Sequence, residues 1–267
     1  MGLSITIASG KGGTGKTTIS ANLGVALAQL GKDTIILDAD IEMANLELHL
    51  GLEGMKTTLH NVLAGEADIK DAIYDGPGGV KAVPAGMRLD GLGKIEYDRL
   101  KDVLNELAKT CEVLLIDVPS GIGRTVIVAL STGEEILLIA TPEISAMSDV
   151  LKTKIVAKKL GADILGVVLN RALFDKSDLT VKEVEAILET KVVAVIPEDA
   201  EIKKSLTSEQ PAVLRSPDAP AVIAIKKLAA RLVDEEREED EEQPTPPPPE
   251  SPETGFMEKL KSGIFGR

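Results

Sequence analysis

The octet Gly10-Lys11-Gly12-Gly13-Thr14-Gly15-Lys16-Thr17 decides how this 267-residue chain folds. It satisfies the pattern G-x-x-x-x-G-K-[ST], and its flanks supply the context that gives the pattern meaning. Before it, LSITIA (3–8) is a short apolar, β-branched run that predicts a strand. After it, Ile19, Leu23, Ala26, Leu27 and Leu30 recur at three- and four-residue spacing, and Gly31 closes the helix they predict. Glycines let the backbone curl until successive N–H groups face a phosphate. The start of the next helix adds unpaired donors and a partial positive charge. Residues Gly10, Lys11, Gly12, Gly13, Thr14, Gly15, Lys16, Thr17 and Thr18 therefore form a candidate phosphate cradle. Lys16 would neutralise β- and γ-phosphate oxygens, and the Thr17 hydroxyl would be a ligand of Mg²⁺.

Outward from the octet, compact apolar runs of strand length follow at TIILDAD (34–40), VLLIDVP (113–119), EILLIATP (135–142), ILGVVLN (164–170) and KVVAVIP (191–197). Helical segments lie between them, notably 96–109, 146–160, 180–189 and 219–233. Strands apolar on both faces and separated by helices predict a doubly wound, mostly parallel α/β sheet with helices on both faces. The stretch 72–86 breaks the rhythm, because its Gly-Pro-Gly-Gly centre reads as a hairpin or turn. One domain over 1–233 is the expectation. Composition trims the alternatives. A single cysteine, Cys111, excludes a disulfide framework and cannot hold an iron–sulfur cluster. No apolar run approaches the ~18 residues of a membrane span, and the first residues lack the pattern of a signal peptide, so a cytoplasmic protein is expected.

Acidic residues sit where such a sheet would place its ligand crevice, at the carboxyl ends of strands. Asp38 and Asp40 end TIILDAD, and Asp117 ends VLLID. Phosphoryl transfer needs a carboxylate near Mg²⁺ and a group that orients the attacking water. Asp38 and Asp117, with Thr17, are the candidate metal ligands.

The second lysine of the octet, Lys11, makes KGGTGKTT resemble the deviant Walker A signature of the ParA/MinD family of P-loop NTPases. DADIEMANLELHLG, TLHNVLAGE, ATPEIS, VVLNR and VIPED look specifically like archaeal MinD-type members. The resemblance implies an ATP hydrolase with ATP and Mg²⁺ as its ligands. Lys11 would reach across an ATP-dependent homodimer to the partner's phosphates, acting as a catalytic cation beside Lys16. Asp40 would orient the water in switch I, and Asp117 would hold Mg²⁺ through water, with Pro119 and Gly121 in switch II. Asn170 and Arg171 would meet the adenine edge, and the loop Pro197-Glu198-Asp199 would close over the ring. Two departures, Thr141 and Ser120, touch none of the proposed phosphate ligands.

The end of the chain adds a further expectation. Residues 234–253 hold ten acidic residues and one basic, a net of −9, whereas 254–267 carry +2; the remaining 1–233 carry −6 of the total −13. The composition of 234–255 is that of a disordered acidic, Pro-rich linker. In 256–267, Phe256, Met257, Leu260 and Ile264 share one stripe of a helix, with Lys259 opposite. That pattern fits an amphipathic segment lying on anionic lipid, and it resembles the membrane-targeting tail of the MinD group. The expected function is an ATPase switch, peripheral to the inner face of the cell membrane, that positions a cellular assembly such as the division site through some activator or cargo protein. The alternatives are a DNA-binding partition ATPase, disfavoured by the acidic body, and a nucleotide-locked scaffold without turnover.

Overall fold

A computed structural model describes residues 2–86 and 96–233. The linker at 234–255 and the amphipathic segment at 256–267 lie outside the described residues.

Eight strands form one sheet in the order β3-β4-β2-β5-β1-β6-β7-β8. They are β1 (Leu3–Ala8), β2 (Thr34–Asp38), β3 (Tyr74–Asp75), β4 (Lys81–Val83), β5 (Val113–Asp117), β6 (Glu135–Ala140), β7 (Asp163–Ala172) and β8 (Val192–Pro197). Every pairing is parallel except β3 with β4. That exception is the hairpin expected at 72–86, whose turn is the short 3₁₀ segment Pro77–Gly79.

The period of two along each strand splits the apolar side chains between two cores, one per face. Ile35 and Leu37 of β2 enter one core and Ile36 the other; Leu114 and Ile116 of β5 go one way, Val113 and Leu115 the other. Helices α3 (Leu59–Leu63), α4 (Tyr97–Leu107), α5 (Arg124–Thr132), α6 (Ile144–Lys159) and α7 (Val181–Leu188) cover the first face. Helices α1 (Lys16–Gln29), α2 (Leu46–Leu50), α9 (Ala212–Arg215) and α10 (Pro220–Val233) cover the second, and α8 (Ala200–Thr207) follows β8. Local chemistry fixes the ends. Helix α7 starts in a capping box: Glu183 Oε2 accepts from Thr180 N at 2.8 Å, while Glu183 N donates to Thr180 Oγ1. Helix α4 buries Leu100, Val103, Leu104 and Leu107, a stripe at i, i+3, i+4 and i+7.

Helix α1 departs from its sequence reading. The expected stripe is one-sided, yet every residue from Ile19 to Leu27 is buried. The reason is position, because α1 lies between the sheet and α10. Small residues such as Ser20, Ala21 and Gly24 lie off the expected stripe, and Gly24 faces the sheet, where a Cβ would strike Ile36 of β2. The five-residue helices α2 and α3 were too short to show a period at all.

Candidate functional site

The carboxyl ends of β1, β2, β5, β7 and β8 converge on the glycine-rich loop. Strand β1 enters the loop at Ser9, and α1 leaves it at Lys16 with no acidic residue in its first turn. Gly15 caps the helix in the left-handed conformation, with φ 87°, and no side chain fills the cap. The N-terminal donors of α1 are thus presented to the loop. Glycine at position 10 is required by a neighbour: a Cβ there would strike the backbone of Asp149 on α6. At Gly15 a Cβ would strike the Asn170 amide, in addition to the cost of its left-handed backbone.

Three carboxylates face the loop. Asp38 and Asp117 are direct partners in the β2–β5 register, and both are buried. Their tasks differ. Asp38 Oδ1 accepts from Asp40 N at 2.9 Å, and Oδ2 accepts from Asn45 N at 3.2 Å and Leu46 N at 3.1 Å. Three of the four acceptor positions of Asp38 are therefore taken up in holding the segment 40–46, which leaves one on Oδ1 for the metal role expected of it. Asp117 is the opposite case. Its Oδ1 is buried without a hydrogen-bond partner. Burial pushes its carboxyl up to about 6, against the pull of the Thr17 hydroxyl, Lys16 and the Ser20 hydroxyl. Burial, with the Asp117 charge beside it, also raises Asp38 well above the usual carboxylate range.

Lys16 is the cation between them. Burial lowers its pKa, and Asp117 and Asp40 oppose that shift. Asp40 is half-buried, accepts from Met43 N at 3.1 Å, and is pushed up by burial while Lys16 holds it down. Thr14 is buried, and its Oγ1 is a second polar atom without a partner. Lys11, Gly12 and Gly13 are exposed on the outer lip, and Thr18 lies in the first turn of α1, where its carbonyl accepts from Asn22 Nδ2 at 2.8 Å. The segment that follows β5 approaches the loop through Gly121 N, which donates to Ser9 O at 3.2 Å.

The residues expected at the base arrive at the same edge, with their polar groups engaged elsewhere. Asn170 Nδ2 donates to Thr14 O at 2.8 Å in a buried hydrogen bond. Arg171, left-handed at φ 62°, donates from Nε to Glu198 Oε2 at 2.9 Å and from Nη1 to Gly13 O at 3.3 Å. Asp199 caps two helices: Oδ1 accepts from Glu201 N at 2.9 Å and Oδ2 from Ala221 N at 3.2 Å. Pro197 ends β8 opposite Ala172. Sequence reading missed Ser20 and Ser9. Ser20 sits three residues beyond Thr17 on one helix face, a spacing that could have marked it.

A cation would find a suitable setting here. Among the described residues no group of three or more His, Cys, Asp or Glu could hold a metal. A hard divalent ion held by one carboxylate, one hydroxyl and phosphate oxygens needs no such group. The unpartnered Oδ1 of Asp117 beside the Thr17 hydroxyl fits that donor set.

Comparison with known proteins agrees with this geometry. Over the full chain, an uncharacterised ATP-binding protein of Methanocaldococcus jannaschii is 46% identical, covering 98% of that protein. The septum site-determining protein MinD of Pyrococcus horikoshii, solved in complex with Mg-ADP, superposes with a TM-score of 0.84 at 38% identity, over 88% of this chain and 97% of that one. The cell division ATPase MinD of Pyrococcus furiosus gives 0.84 at 41% identity, over 87% and 98%. Residues 5–212 match the CobQ/CobB/MinD/ParA nucleotide binding domain. The chain belongs to that family, and within it the chain is MinD-like.

Proposed function

We propose that this protein is a Mg²⁺-dependent ATP hydrolase that works as a switch, dimerising with ATP and releasing on hydrolysis. The observation that carries the proposal is the part-buried Lys16 at the start of α1, beside Asp40 and the open oxygen of Asp117. Thr17 and Asp117 would hold Mg²⁺, which when bound spreads charge between the β- and γ-phosphates. The chain's own groups do the rest. Loop N–H groups and Lys16 take up phosphate charge, and Asp40 orients a water whose oxygen bonds to the γ-phosphorus as the β–γ bridge breaks. Asp38 holds the Asp40 loop in place.

Two features support a dimer. Lys11 is exposed on the lip of the loop, where it can serve a partner's phosphates. At the same edge of the sheet, Met43, Ile122, Leu173 and Phe174 are exposed in the loops that leave β2, β5 and β7, and Ile144 is exposed at the start of α6. An apolar rim around a charged site suits a two-fold contact. No helix among the described residues is long and apolar enough to cross a membrane. Membrane attachment is proposed through 256–267, where one short tail is marginal and two held by a dimer gain about 10²–10⁴ in avidity. The MinD likeness supports the reading that the switch positions a cellular assembly, such as the division site, with an activator or cargo protein. Nucleic acid binding is not proposed for this acidic body.

The decisive variant is Asp40→Ala. It should bind ATP, lose at least about 90% of turnover, and run as a dimer in ATP by light scattering. Turnover at the wild-type rate would remove Asp40 from the mechanism, and a monomer in ATP would remove the dimer. Vesicle co-sedimentation with a non-hydrolysable ATP analogue tests the tail, since Phe256→Glu should abolish pelleting.

A further inference from the structure

The phosphate loop is pinned at its root and open at its tip. A Cβ at Gly10 would strike the backbone of Asp149 on α6, whereas a Cβ at Gly13 would meet nothing. Ser9, the residue before the loop, is buried and bonds in two directions. Its hydroxyl donates to Lys11 O at 2.9 Å, and its carbonyl accepts from Gly121 N at 3.2 Å. The segment that carries Gly121 also brings Ser120 Oγ to 3.6 Å from where a Gly12 Cβ would stand. A trans peptide is planar, so tying a carbonyl also fixes the N–H on its far side. The ties at Ser9 O and Lys11 O thus fix the peptides 9–10 and 11–12, and with them the backbone from which Lys11 projects. Lys11 itself is exposed, so its side chain is placed by that backbone and not by packing.

We infer, on the reading that Lys11 supplies its cation to a partner's phosphates, that Ser9 is the positioning residue for Lys11. Its hydroxyl aims a lysine that acts in the other protomer, so this buried oxygen serves a site on the far side of the interface. A long side chain that reaches across an interface loses rotamer freedom when it binds. A backbone fixed beforehand lowers the ordering cost, because only the side chain remains to be placed. The tie to Gly121 extends the connection. Asp117, with its open Oδ1, ends β5 where the segment carrying Gly121 begins. The metal end of one site and the lysine offered to the other are therefore joined through Ser9 within a single protomer.

A serine that only shaped its own loop would act in cis, whereas one that aims Lys11 acts in trans, and mixed dimers separate the two. Asp40→Ala protein keeps Lys11 but lacks a working site, and Lys11→Ala protein keeps its site but offers no lysine. Mixed in ATP at saturating protein, the two should hydrolyse well above either alone, since the second protein's site receives the first protein's Lys11. Adding Ser9→Ala to the Asp40→Ala protomer should lower this turnover about fivefold, the worth of one neutral hydrogen bond. Adding it to the Lys11→Ala protomer should leave turnover as it was, which also shows that the substituted chain folds. The ATP affinity of Ser9→Ala by itself, from isothermal titration, should match wild type. Loss of turnover in both arms, or in the Lys11→Ala arm alone, would assign Ser9 to its own site and overturn the inference. So would no loss in either arm, or weakened ATP binding. A parent mixture no more active than its components would instead remove the reading of Lys11 beneath, and the role of Ser9 with it.

Discussion

The two halves of the ligand edge spend their polar groups differently. At the ends of β1, β2 and β5, polar atoms are left open: Asp117 Oδ1 and Thr14 Oγ1 are buried without partners, and Lys16 carries a desolvated charge. At the ends of β7 and β8, the groups are committed: Asn170 to Thr14, Arg171 to Glu198 and Gly13, Asp199 to two helix starts. Unsatisfied buried groups cost free energy, and a fold tolerates them where a ligand repays that cost. The open half is where charge will be received. The committed half is scaffold that shapes it.

The largest effect should come from emptying the open half. Lys16→Ala removes the part-buried cation, and isothermal titration should show nucleotide affinity reduced at least ~100-fold. It also strands Asp117 and Asp40 without their counter-charge. An affinity within tenfold of wild type would mean that the two halves share the binding charge more evenly than their bonding suggests.

Next in size is Asp117→Asn. The ligand-free protein pays to keep a carboxylate buried against Asp38, and that variant removes the charge while keeping the shape. Without nucleotide or Mg²⁺ it should melt higher, by about 1–2 kcal/mol of stability at neutral pH, while losing the stabilisation that Mg²⁺ with nucleotide gives wild type. A lower melting point would mean that the carboxylate is structural and belongs to the committed half.

The smallest expected effect concerns a titrating group outside both halves. Burial lowers His49 on α2 to about 4, so it is neutral in the folded protein and would charge at 6.5 when unfolded. Stability from this source is whole above pH 6.5 and is lost as pH falls toward 4. His49→Gln should flatten the acid side of a Tm–pH profile by about 1 kcal/mol and leave nucleotide affinity unchanged. An unaltered profile would show that the acid limb belongs instead to carboxylates held low in the fold, such as Glu198 with its Arg171 and Lys203 partners.

What could be read in advance divides along the same line. The phosphate loop is legible because its glycines, Lys16 and Thr17 are adjacent in sequence and act through backbone geometry that the spacing dictates. The carboxylates are legible as positions, since strands announce their ends. Their tasks are not: Asp38 and Asp117 look alike in sequence, and only the path of segment 40–46 makes one a clamp. The engagement of Asn170 with Thr14 joins residues 156 apart in sequence, and no local pattern records such a partner. Helix α1 shows the same limit, because one of the two bodies that enclose it is α10, formed from the other end of the domain.

The sheet order carries a consequence for how the protein is made. Strand β1, made before the strands it pairs with, lies at the interior of the sheet, and its neighbours β5 and β6 begin only at Val113 and Glu135. Until the chain has emerged past Ala140, LSITIA has apolar faces and unpaired edges with nothing to meet them. Pairings this distant are slow to find and exposed to aggregation while they wait. The glycine-rich loop, made well before the strands that hold β1, therefore takes shape only after they emerge, and a product truncated before Val113 would carry its sequence without a stable fold to display it.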